Sequence, residues 1–340
     1  MTPLDELVAA LAREHGPLRF DEVVALALYH RDHGFYLRGG RAGRRGDFLT
    51  SPEVGPLFGA VLARALDAWW EGVGRPDPFE VVEAGAGTGT LARSVLAARP
   101  MCRDAMRYVA VEASPALRAE HPDGVASVER LPDGPITGVV VANELLDNLP
   151  FRLLERGDRA WQEVRVAPGP SGLEEVLVPG EDAPEVDAPV GSRVALQEAA
   201  AGWLEGALGR VTRGRVVVID YASTTAEMAR RPWTDWVRTY RAHERGGHPL
   251  EDLGAQDVTC EVAVDQLAAV RPPDEDRSQA EFLRAHGLDD LVSEGRRIWE
   301  ERAATGDLDA IRARSRIAEA EALTDAAGLG GFRVWEWERS

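Results

Sequence analysis

The pattern of apolar and polar positions predicts two helices followed by a parallel sheet. Apolar residues recur three and four positions apart in 4–14 and 21–31, and this spacing is typical of amphipathic helices. Short apolar runs then predict strands at 79–82, 108–112, 126–129, 138–144, 215–221 and 331–337. Several of these runs lack the polar alternation of a half-exposed strand, so we expect strands buried on both faces. The chain is therefore predicted to be an α/β protein.

A glycine-rich turn follows the first predicted strand. Residues 83–89 read Glu-Ala-Gly-Ala-Gly-Thr-Gly. Alternate glycines permit a tight turn, and their missing side chains allow a ligand to lie against the backbone. The dinucleotide fingerprint would need its third glycine at position 90, which is Thr90. An acidic residue followed by this glycine spacing is instead the pattern of class I S-adenosylmethionine (SAM) methyltransferases.

The second predicted strand adds a carboxylate to this site. It ends in Glu112, which is placed to accept hydrogen bonds from both hydroxyls of a ribose. The predicted contacts with SAM in this region are Glu83, Gly85, Ala86, Gly87, Gly89 and Glu112. The alternative is a turn that serves only packing, with Glu112 as a surface glutamate.

A further helix start is predicted between the N-terminal helices and the first strand. Ser51 and Pro52 are typical of a helix start, and Glu53 would lie at the positive end of the helix dipole. The helix is predicted to continue through Trp69. Capping is one interpretation of this segment. The other is that Thr50, Pro52 and Glu53 contact the cofactor.

Polar residues also end the fourth predicted strand. Asn143 and Glu144 stand at its carboxyl end, and Asp147 follows three residues later. In open α/β sheets, ligands bind beyond the carboxyl ends of the strands, so we expect Glu83, Glu112 and Glu144 to line one crevice. If the turn after this strand is helical, Glu144 and Asp147 face the same side.

Two stretches interrupt the predicted sheet. The first contains a predicted hairpin at 161–178, and a helix is predicted at 194–208. The second, at 222–280, is irregular, as lids and binding loops often are. It contains three aromatic residues that either cover the site or pack in a core: Trp233, Trp236 and Tyr240.

The predicted fold class is α/β, with a class I SAM methyltransferase Rossmann-like core. An N-terminal helical and loop segment at 1–60 is expected to pack on this core. The methyltransferase domain is expected at 61–340. Inserted lid or substrate regions are expected at about 151–192 and 222–280.

Composition narrows the class of partner. The 340-residue chain has a formal net charge of −18, which disfavours a general affinity for nucleic acid or anionic membranes. Its two cysteines, Cys102 and Cys260, give neither a disulfide framework nor a Cys-x-x-Cys metal pair. The N-terminus lacks the regions of a secretory signal, and no apolar run approaches about 18 residues. We expect a cytoplasmic protein without a metal, a nucleic-acid partner or a membrane partner.

Several stretches together resemble one family. They are 46–59, 83–89, 143–150, 238–243 with its sequel 257–259, and 328–334. On these residues the chain resembles the MidA-like SAM-dependent methyltransferases, relatives of a mitochondrial complex I assembly factor. The resemblance covers almost the whole chain. It implies a seven-stranded Rossmann-like core, SAM as cofactor and, as in the best-studied branch, methyl transfer to a protein arginine.

Three positions depart from the family's pattern. Ala222 replaces the glycine that usually follows the fifth strand, and Cys260 stands where a small residue is common. Asn148 replaces the alanine of the family's Asp-Ala-Leu-Pro string. None of the three removes a cofactor contact, but Asn148 is expected to alter the acceptor pocket.

The acceptor side of the site follows from the chemistry of arginine. A guanidinium is always protonated, so it needs acidic partners that orient it and take its proton. We predict that Glu144 and Asp147 are these carboxylates and that Asn143 lies near the reacting centre and the cofactor. The alternatives are a surface carboxylate for Glu144 and a helix-start charge for Asp147. Further predicted substrate contacts are Asn148, Asp220, Tyr221, Tyr240 and His243, with Glu163 in second rank.

The sequence leaves three functions open. The first is methyl transfer to a protein arginine, and the second is methyl transfer to oxygen or nitrogen of a small molecule on the same fold. The third is a non-catalytic SAM-binding assembly factor that holds a partner. The expected partner is a protein substrate or a small-molecule acceptor, and a homodimer is compatible with the sequence. Fold and cofactor do not separate these functions, because one fold hosts many.

Overall fold

The computed structural model describes residues 2–38, 50–180, 184–241, 244–303 and 307–340. The α-helices in these ranges are α1 (Pro3–His15), α2 (Phe20–Tyr29), α3 (Ser51–Val54), α4 (Pro56–Gly72), α5 (Thr90–Ala98), α6 (Pro115–Arg118), α7 (Glu198–Arg210), α8 (Thr225–Met228), α9 (Val264–Val270), α10 (Gln279–Ala285), α11 (Leu288–Arg302) and α12 (Leu308–Thr324). Short 3₁₀ turns occur at Tyr36–Arg38, Met101–Asp104, Leu146–Asn148, Trp233–Asp235 and Leu329–Gly331. The two helices predicted at the N-terminus correspond to α1 and α2.

The strands define one large sheet and three smaller ones. They are β1 (Leu18–Arg19), β2 (Phe79–Ala84), β3 (Met106–Val111), β4 (Ala126–Val128), β5 (Ile136–Asn143), β6 (Arg152–Arg156), β7 (Trp161–Gly169), β8 (Gly172–Pro179), β9 (Arg193–Leu196), β10 (Val211–Asp220), β11 (Ala222–Ser223), β12 (Val237–Arg241), β13 (Glu244–Arg245), β14 (Asp257–Cys260), β15 (Val262–Ala263), β16 (Glu275–Ser278) and β17 (Arg333–Arg339). The six predicted strands correspond to β2, β3, β4, β5, β10 and β17.

The core of the fold is a seven-stranded sheet in the order β16-β17-β10-β5-β2-β3-β4. Strands β4, β3, β2, β5 and β10 run parallel, whereas β17 is antiparallel to both of its neighbours. From β2 the chain moves outward through β3 to β4 and then returns to β5 on the other side of β2. This reversal makes β2 and β5 the switch point at which open α/β sheets bind ligands. The predicted seven-stranded Rossmann-like core is confirmed.

Helices cover both faces of this sheet. On one face, α4, α5, α10 and α11 pack in a core with Val81, Val139 and Val217. On the other face, α7 and α9 pack with Val82 and Val140. Alternate residues of a strand point to opposite faces, so a sheet covered on both sides needs nearly continuous apolar strands. Polar side chains therefore gather at the strand ends.

The first insertion forms a separate sheet of β1, β6, β7, β8 and β9. Val8 of α1 and Phe20 of α2 share a core with Leu153 and Val164 of this sheet. Helices α1 and α2 thus pack on the inserted sheet and not on the seven-stranded core, which corrects this part of the prediction for residues 1–60. The apolar inner face of β6 and β7 provides the burial that the two helices need. Val54 of α3 and Leu57 of α4 do pack in the core of the seven-stranded sheet, as predicted.

Two predicted boundaries were also wrong. Residues Arg193–Leu196 pair with β6 as strand β9, so the helix predicted from 194 begins at Glu198. Residues Glu275–Ser278 pair with β17 in the core sheet, so the second insertion ends before residue 275. Within that insertion, Trp236 is fully buried and its Nε1 donates a hydrogen bond to the Met228 carbonyl at 3.1 Å. Trp236 therefore packs in a core and does not cover the site.

The helix predicted to run from 51 through 69 is broken into α3 and α4 at Gly55. A Cβ at Gly55 would lie 2.3 Å from Cδ of Glu319, so no other residue fits there without a shift. Glu319 belongs to α12, and its Oε2 accepts a hydrogen bond from the Leu57 amide at 2.8 Å. Thr50, not Ser51, occupies the capping position of α3, and its side chain makes no capping hydrogen bond. The carboxylate of α12 thus fixes where α4 begins.

The described ranges contain neither a metal-ligand cluster nor a membrane-spanning helix. No group of three or more His, Cys, Asp and Glu side chains there is placed to hold a metal ion. No helix of these ranges is long and apolar enough to cross a membrane. Both cysteines, Cys102 and Cys260, are buried and free.

Candidate active site

A cavity of about 600 Å³ lies at the carboxyl ends of β2, β3 and β5. Glu83, Glu112 and Glu144 come from these three strand ends, and all three line the cavity. The prediction that they share one crevice is confirmed. The crevice follows from the switch point of the sheet, where the loops after β2 and β5 diverge.

The glycine turn after β2 presents its backbone to this cavity. Gly85 has a φ of 73° and Gly87 a φ of 53°, in the left-handed region that favours glycine. The amides of Gly85 and Ala86 donate to the Val111 carbonyl, each at 3.0 Å, which fixes the turn on β3. A Cβ added to Gly87 would meet no protein atom within 4 Å. The open side of the turn is therefore free for a ligand.

Gly89 differs from Gly85 and Gly87 in its position relative to the cavity. It does not line the cavity, and a Cβ there would lie 2.9 Å from Cδ of Pro122. With a φ of 79°, Gly89 is the N-cap residue of α5. The missing side chain of Gly89 allows Pro122 to approach the turn closely. The position of Gly89 therefore does not support the predicted contact with the cofactor.

Two of the carboxylates are held by neutral donors. Glu83 is buried, and its Oε2 accepts a hydrogen bond from the Tyr108 hydroxyl at 2.7 Å. Burial raises the pKa of Glu83 to about 7. Glu112 accepts from the amides of Gly87 at 3.0 Å and Ser114 at 2.8 Å. Burial also raises the pKa of Glu112, while these amide donors act in the opposite direction.

Glu144 has an unusual backbone conformation at the end of β5. Its φ is 51°, in the left-handed region that is uncommon for a residue with a side chain and recurs at active sites. Its Oε1 accepts hydrogen bonds from the Ser51 amide at 3.0 Å and from Asn143 Nδ2 at 3.2 Å. Burial raises the pKa of Glu144 to about 8. Asn143 also lines the cavity, and its buried Oδ1 has no hydrogen-bond partner among the described residues.

Asp147, Asp220 and Tyr221 lie behind the cavity and do not line it. The Tyr221 hydroxyl donates to Asp147 Oδ2 at 2.5 Å. Asp220 accepts from the amides of Leu146 at 3.0 Å and Tyr221 at 3.0 Å. The prediction that Glu144 and Asp147 face the same side is wrong, because Glu144 precedes the 3₁₀ turn in a left-handed conformation and Asp147 lies within that turn.

Helix α3 covers the cavity from the N-terminal side. Thr50, Pro52 and Glu53, which were predicted as cofactor contacts, line this cavity. The Thr90 hydroxyl, at the start of α5, donates to Glu53 Oε1 at 2.5 Å. This bond ties α3 to the glycine turn, so Glu53 holds the two parts of the cavity wall together.

Of the remaining residues that were predicted to contact the substrate, only some line the cavity. Asn148 lines the cavity and its Nδ2 donates to Asp257 Oδ1 at 3.1 Å. Tyr240 lies in β12 and does not line the cavity. His243 lies outside the described residues. Glu163 belongs to the inserted sheet, where it forms ion pairs with Arg152 and Arg165.

Several cavity residues were not predicted. They come from elements distant in sequence and include Tyr29, Tyr36, Leu117, Trp203 and Arg210. Tyr36 belongs to the sequence His-Gly-Phe-Tyr, which is rich in aromatic residues. This local sequence does not indicate that Tyr36 lies near the carboxyl end of β5. The other residues sit in ordinary amphipathic helices and carry no local signal.

The buried carboxylates predict how stability depends on pH. Burial raises the pKa of Glu83 to about 7, and the pKa values of Glu144 and Asp257 to about 8. Unfolded carboxyls titrate near pH 4, so the folded protein holds these protons to higher pH. This contribution to stability is fully present below pH 4 and is lost as the pH rises through 8. We expect the Tm of the cofactor-free protein to fall between pH 6.5 and 9.

Scanning calorimetry at constant ionic strength would measure this dependence. The variant Glu144→Gln has no charge to develop at this position, so its Tm should fall less over the same interval. A wild-type Tm that is constant or rises from pH 6.5 to 9 would contradict the assignment of raised pKa values.

The residues of the cavity fit SAM. The cofactor carries an ammonium and a sulfonium, and carboxylates held only by neutral donors suit such a ligand. Glu83 would hold the amino-acid end, and Glu112 the ribose hydroxyls. The backbone at Gly87 faces open space, where an added side chain would occupy the ligand's volume. Both the donor set and the shape of the turn therefore agree with the cofactor predicted from the sequence.

Comparisons with known proteins lead to the same cofactor. A family model described as "Putative S-adenosyl-L-methionine-dependent methyltransferase" matches residues 61–276. A Burkholderia thailandensis protein, solved with bound S-adenosyl-homocysteine, superposes with a TM-score of 0.84 at 26% identity. That superposition covers 99% of this chain and 92% of the other.

Curated relatives extend the comparison. The Xenopus tropicalis mitochondrial protein arginine methyltransferase NDUFAF7 is 27% identical over 329 residues, which are 81% of this chain and 73% of that protein. Its Drosophila melanogaster homolog is 30% identical over 183 residues, 44% of this chain and 41% of that protein. The match to the Drosophila protein thus spans less than half of its length. Because the family match covers more than half of the chain, and the fold and cavity agree with it, this chain belongs to the MidA-like family of SAM-dependent methyltransferases.

Proposed function

We propose that this methyltransferase acts on the guanidinium group of a protein arginine. The observation that carries the proposal is Glu144, a carboxylate at the switch point of the sheet that is held in the cavity by the Ser51 amide and Asn143. A glutamate whose pKa is raised to about 8 is a stronger base than a solvated one. A guanidinium acceptor must lose a proton during methyl transfer, so it needs such a base.

The charge of the cavity supports a cationic acceptor. In the described part of the chain, the hydrogen-bond partners of four lining carboxylates are neutral groups. These carboxylates are Glu53, Glu83, Glu112 and Glu144. Six acidic side chains line the described cavity against two arginines, Arg130 and Arg210. A cationic cofactor and a cationic acceptor would offset the cost of burying Glu83, Glu112 and Glu144 in their ionised forms. The formal net charge of −18 would also attract a basic protein segment.

Different residues of the chain have different roles in the proposed reaction. When bound, SAM supplies an electrophilic methyl group, whose carbon–sulfur bond breaks as a bond to the acceptor nitrogen forms. Glu144 accepts the proton that this nitrogen releases. The Ser51 amide and Asn143 orient Glu144, and the left-handed backbone at position 144 aims the side chain into the cavity. Helix α3 contributes Pro52 and Glu53 to the cavity wall beside these groups.

The names of the relatives support the same acceptor. The Xenopus relative, matched over most of both chains, is described as a protein arginine methyltransferase.

The test is incubation of the purified protein with methyl-labelled SAM and lysate from a strain that lacks its gene. We expect label in a protein band and, after acid hydrolysis, in methylarginine. Heat-inactivated protein in the same lysate is the control. Label confined to the small-molecule fraction would replace the proposal by a small-molecule methyltransferase. SAM binding without label in either fraction would favour a non-catalytic assembly factor.

A further inference from the structure

One part of the cavity lies beyond the groups assigned to the cofactor. In the sheet, β3 with Glu112 and β5 with Glu144 lie on opposite sides of β2. Neighbouring strands are about 4.8 Å apart, so these two ends are separated by roughly 10 Å. Asn148 follows β5 in the chain and lines the cavity together with Tyr29 and Tyr36. The two tyrosines are half-buried and come from the N-terminal segment, outside the Rossmann-like core.

Hydrogen bonds connect these three residues, in part through Asp257. The Tyr29 hydroxyl donates to the backbone carbonyl of Asn148 at 3.1 Å, and the Tyr36 hydroxyl donates to Asp257 Oδ1 at 3.1 Å. Asn148 Nδ2 donates to the same Oδ1 at 3.1 Å. The two tyrosine rings are stacked, with centroids 5.7 Å apart and planes 21° apart. The wall is therefore a fixed unit rather than three independent side chains.

Asp257 stands behind this wall and is fully buried. Its partners in the described part of the chain are neutral: Tyr36, Asn148 and the Val258 amide. No cation compensates the carboxylate within this set of contacts. Burial raises the pKa of Asp257 to about 8, and a cation held on the cavity side of the two aromatic rings would favour the ionised form of this carboxyl.

The hydrogen-bonding groups of the wall also favour a cation as the ligand. Both tyrosine hydrogens and the Asn148 amide hydrogens are directed to acceptors inside the protein. The tyrosines thus offer the cavity aromatic surface and hydroxyl lone pairs. Asn143 Oδ1, which has no hydrogen-bond partner in the part of the chain that the structure describes, and the carboxyl group of Glu144 add further acceptors. A planar cation with several N–H donors on an apolar stem matches this combination.

We propose that Tyr29, Tyr36 and Asn148 form the subsite that receives the alkyl stem and planar cation of the acceptor arginine, and that Asp257 positions this subsite. The inference rests on the proposed function and deepens it, because it assigns acceptor selection to residues outside the Rossmann-like core. Asp257 acts through Tyr36 and Asn148 and does not itself touch the acceptor.

The test measures binding of two small probes by calorimetry, with the full chain saturated by S-adenosylhomocysteine. Propylguanidinium carries the planar cation, and propylurea is its neutral counterpart. We expect propylguanidinium to bind at least about tenfold more tightly than propylurea, as a desolvated cation on aromatic rings would. Tyr36→Leu should remove most of this difference, whereas Tyr36→Phe, which keeps the ring, should retain a larger part.

Asp257→Asn tests the positioning role. It should move the ratio of the two Kd values toward one while S-adenosylhomocysteine binds as in wild type. A merely structural role would instead lower the Tm and weaken all ligands together. Tyr240→Leu is the matched control, since Tyr240 is a half-buried tyrosine that does not line the cavity.

The outcomes separate this inference from the proposed function. If propylguanidinium binds to wild type and the Tyr36 and Asp257 variants keep the wild-type ratio, the subsite is wrong and an arginine acceptor survives. If propylurea binds as tightly as propylguanidinium, or neither binds, the subsite is overturned. Methylarginine in the labelled lysate then decides the acceptor class independently.

Discussion

Replacement of Glu144 by glutamine is expected to lower kcat for methyl transfer by about 10²- to 10⁴-fold, the contribution of a general base. Glutamine keeps the length of the side chain and can still accept the Ser51 hydrogen bond, but its amide cannot take a proton from the acceptor. SAM affinity, measured by calorimetry, should stay close to that of wild type. The loss should therefore appear in kcat at saturating SAM.

The pH profile gives a second readout of Glu144. A base must be unprotonated to act, and burial raises the pKa of Glu144 to about 8. Wild-type kcat/KM for the acceptor should therefore rise with pH up to about 8, and this limb should be absent in Glu144→Gln. Glu129→Gln is the control, because Glu129 also lines the cavity but follows β4. Wild-type turnover in Glu144→Gln would remove this carboxylate from the mechanism.

Valine in place of Gly87 is expected to weaken SAM binding by roughly 100-fold, about 2.8 kcal/mol. The φ of 53° disfavours any branched side chain, and the protein around the turn is open, with no atom within 4 Å of the added Cβ. The valine would therefore extend into the space that the cofactor needs. Calorimetric titration with SAM measures the effect.

Gly191→Val is the matched control for this substitution. Gly191 has a φ of 83°, a Cβ there would also meet no atom within 4 Å, and the residue does not line the cavity. The control variant carries the same kind of backbone strain and should bind SAM as wild type does. Unchanged SAM affinity in Gly87→Val would count against the assignment of the turn to the cofactor.

Local patterns were sufficient to predict the ligand-binding edge of the core sheet and six of its seven strands, but not β16. The glycine turn, Glu83 and Glu112 follow from spacing within a few residues of β2 and β3. The rule that ligands bind beyond the carboxyl ends of parallel strands then placed Glu144 in the same crevice. The prediction succeeded because each of these residues is positioned by the strand that precedes it.

Long-range contacts account for what was missed. The hydrogen bond between Tyr36 and Asp257 joins residues 221 positions apart, and no periodicity connects them. Asp147 was predicted to face the cavity, but its carboxylate accepts a hydrogen bond from the Tyr221 hydroxyl and does not line the cavity. Strand β9 has a helix-like sequence, yet pairing with β6 determines its structure. In each case tertiary packing outweighs the local preference.

The position of β17 in the sheet has a consequence for protein synthesis. Residues Arg333–Arg339 lie between β10 and β16, and Trp335 and Trp337 are fully buried. A nascent chain can pair its five parallel strands early, but β16 gains its neighbour in the sheet only when β17 has left the ribosome. Until then the apolar edge of β10 is open to other chains. We therefore expect β17, once it has been synthesised, to protect this edge of β10 from pairing with other chains.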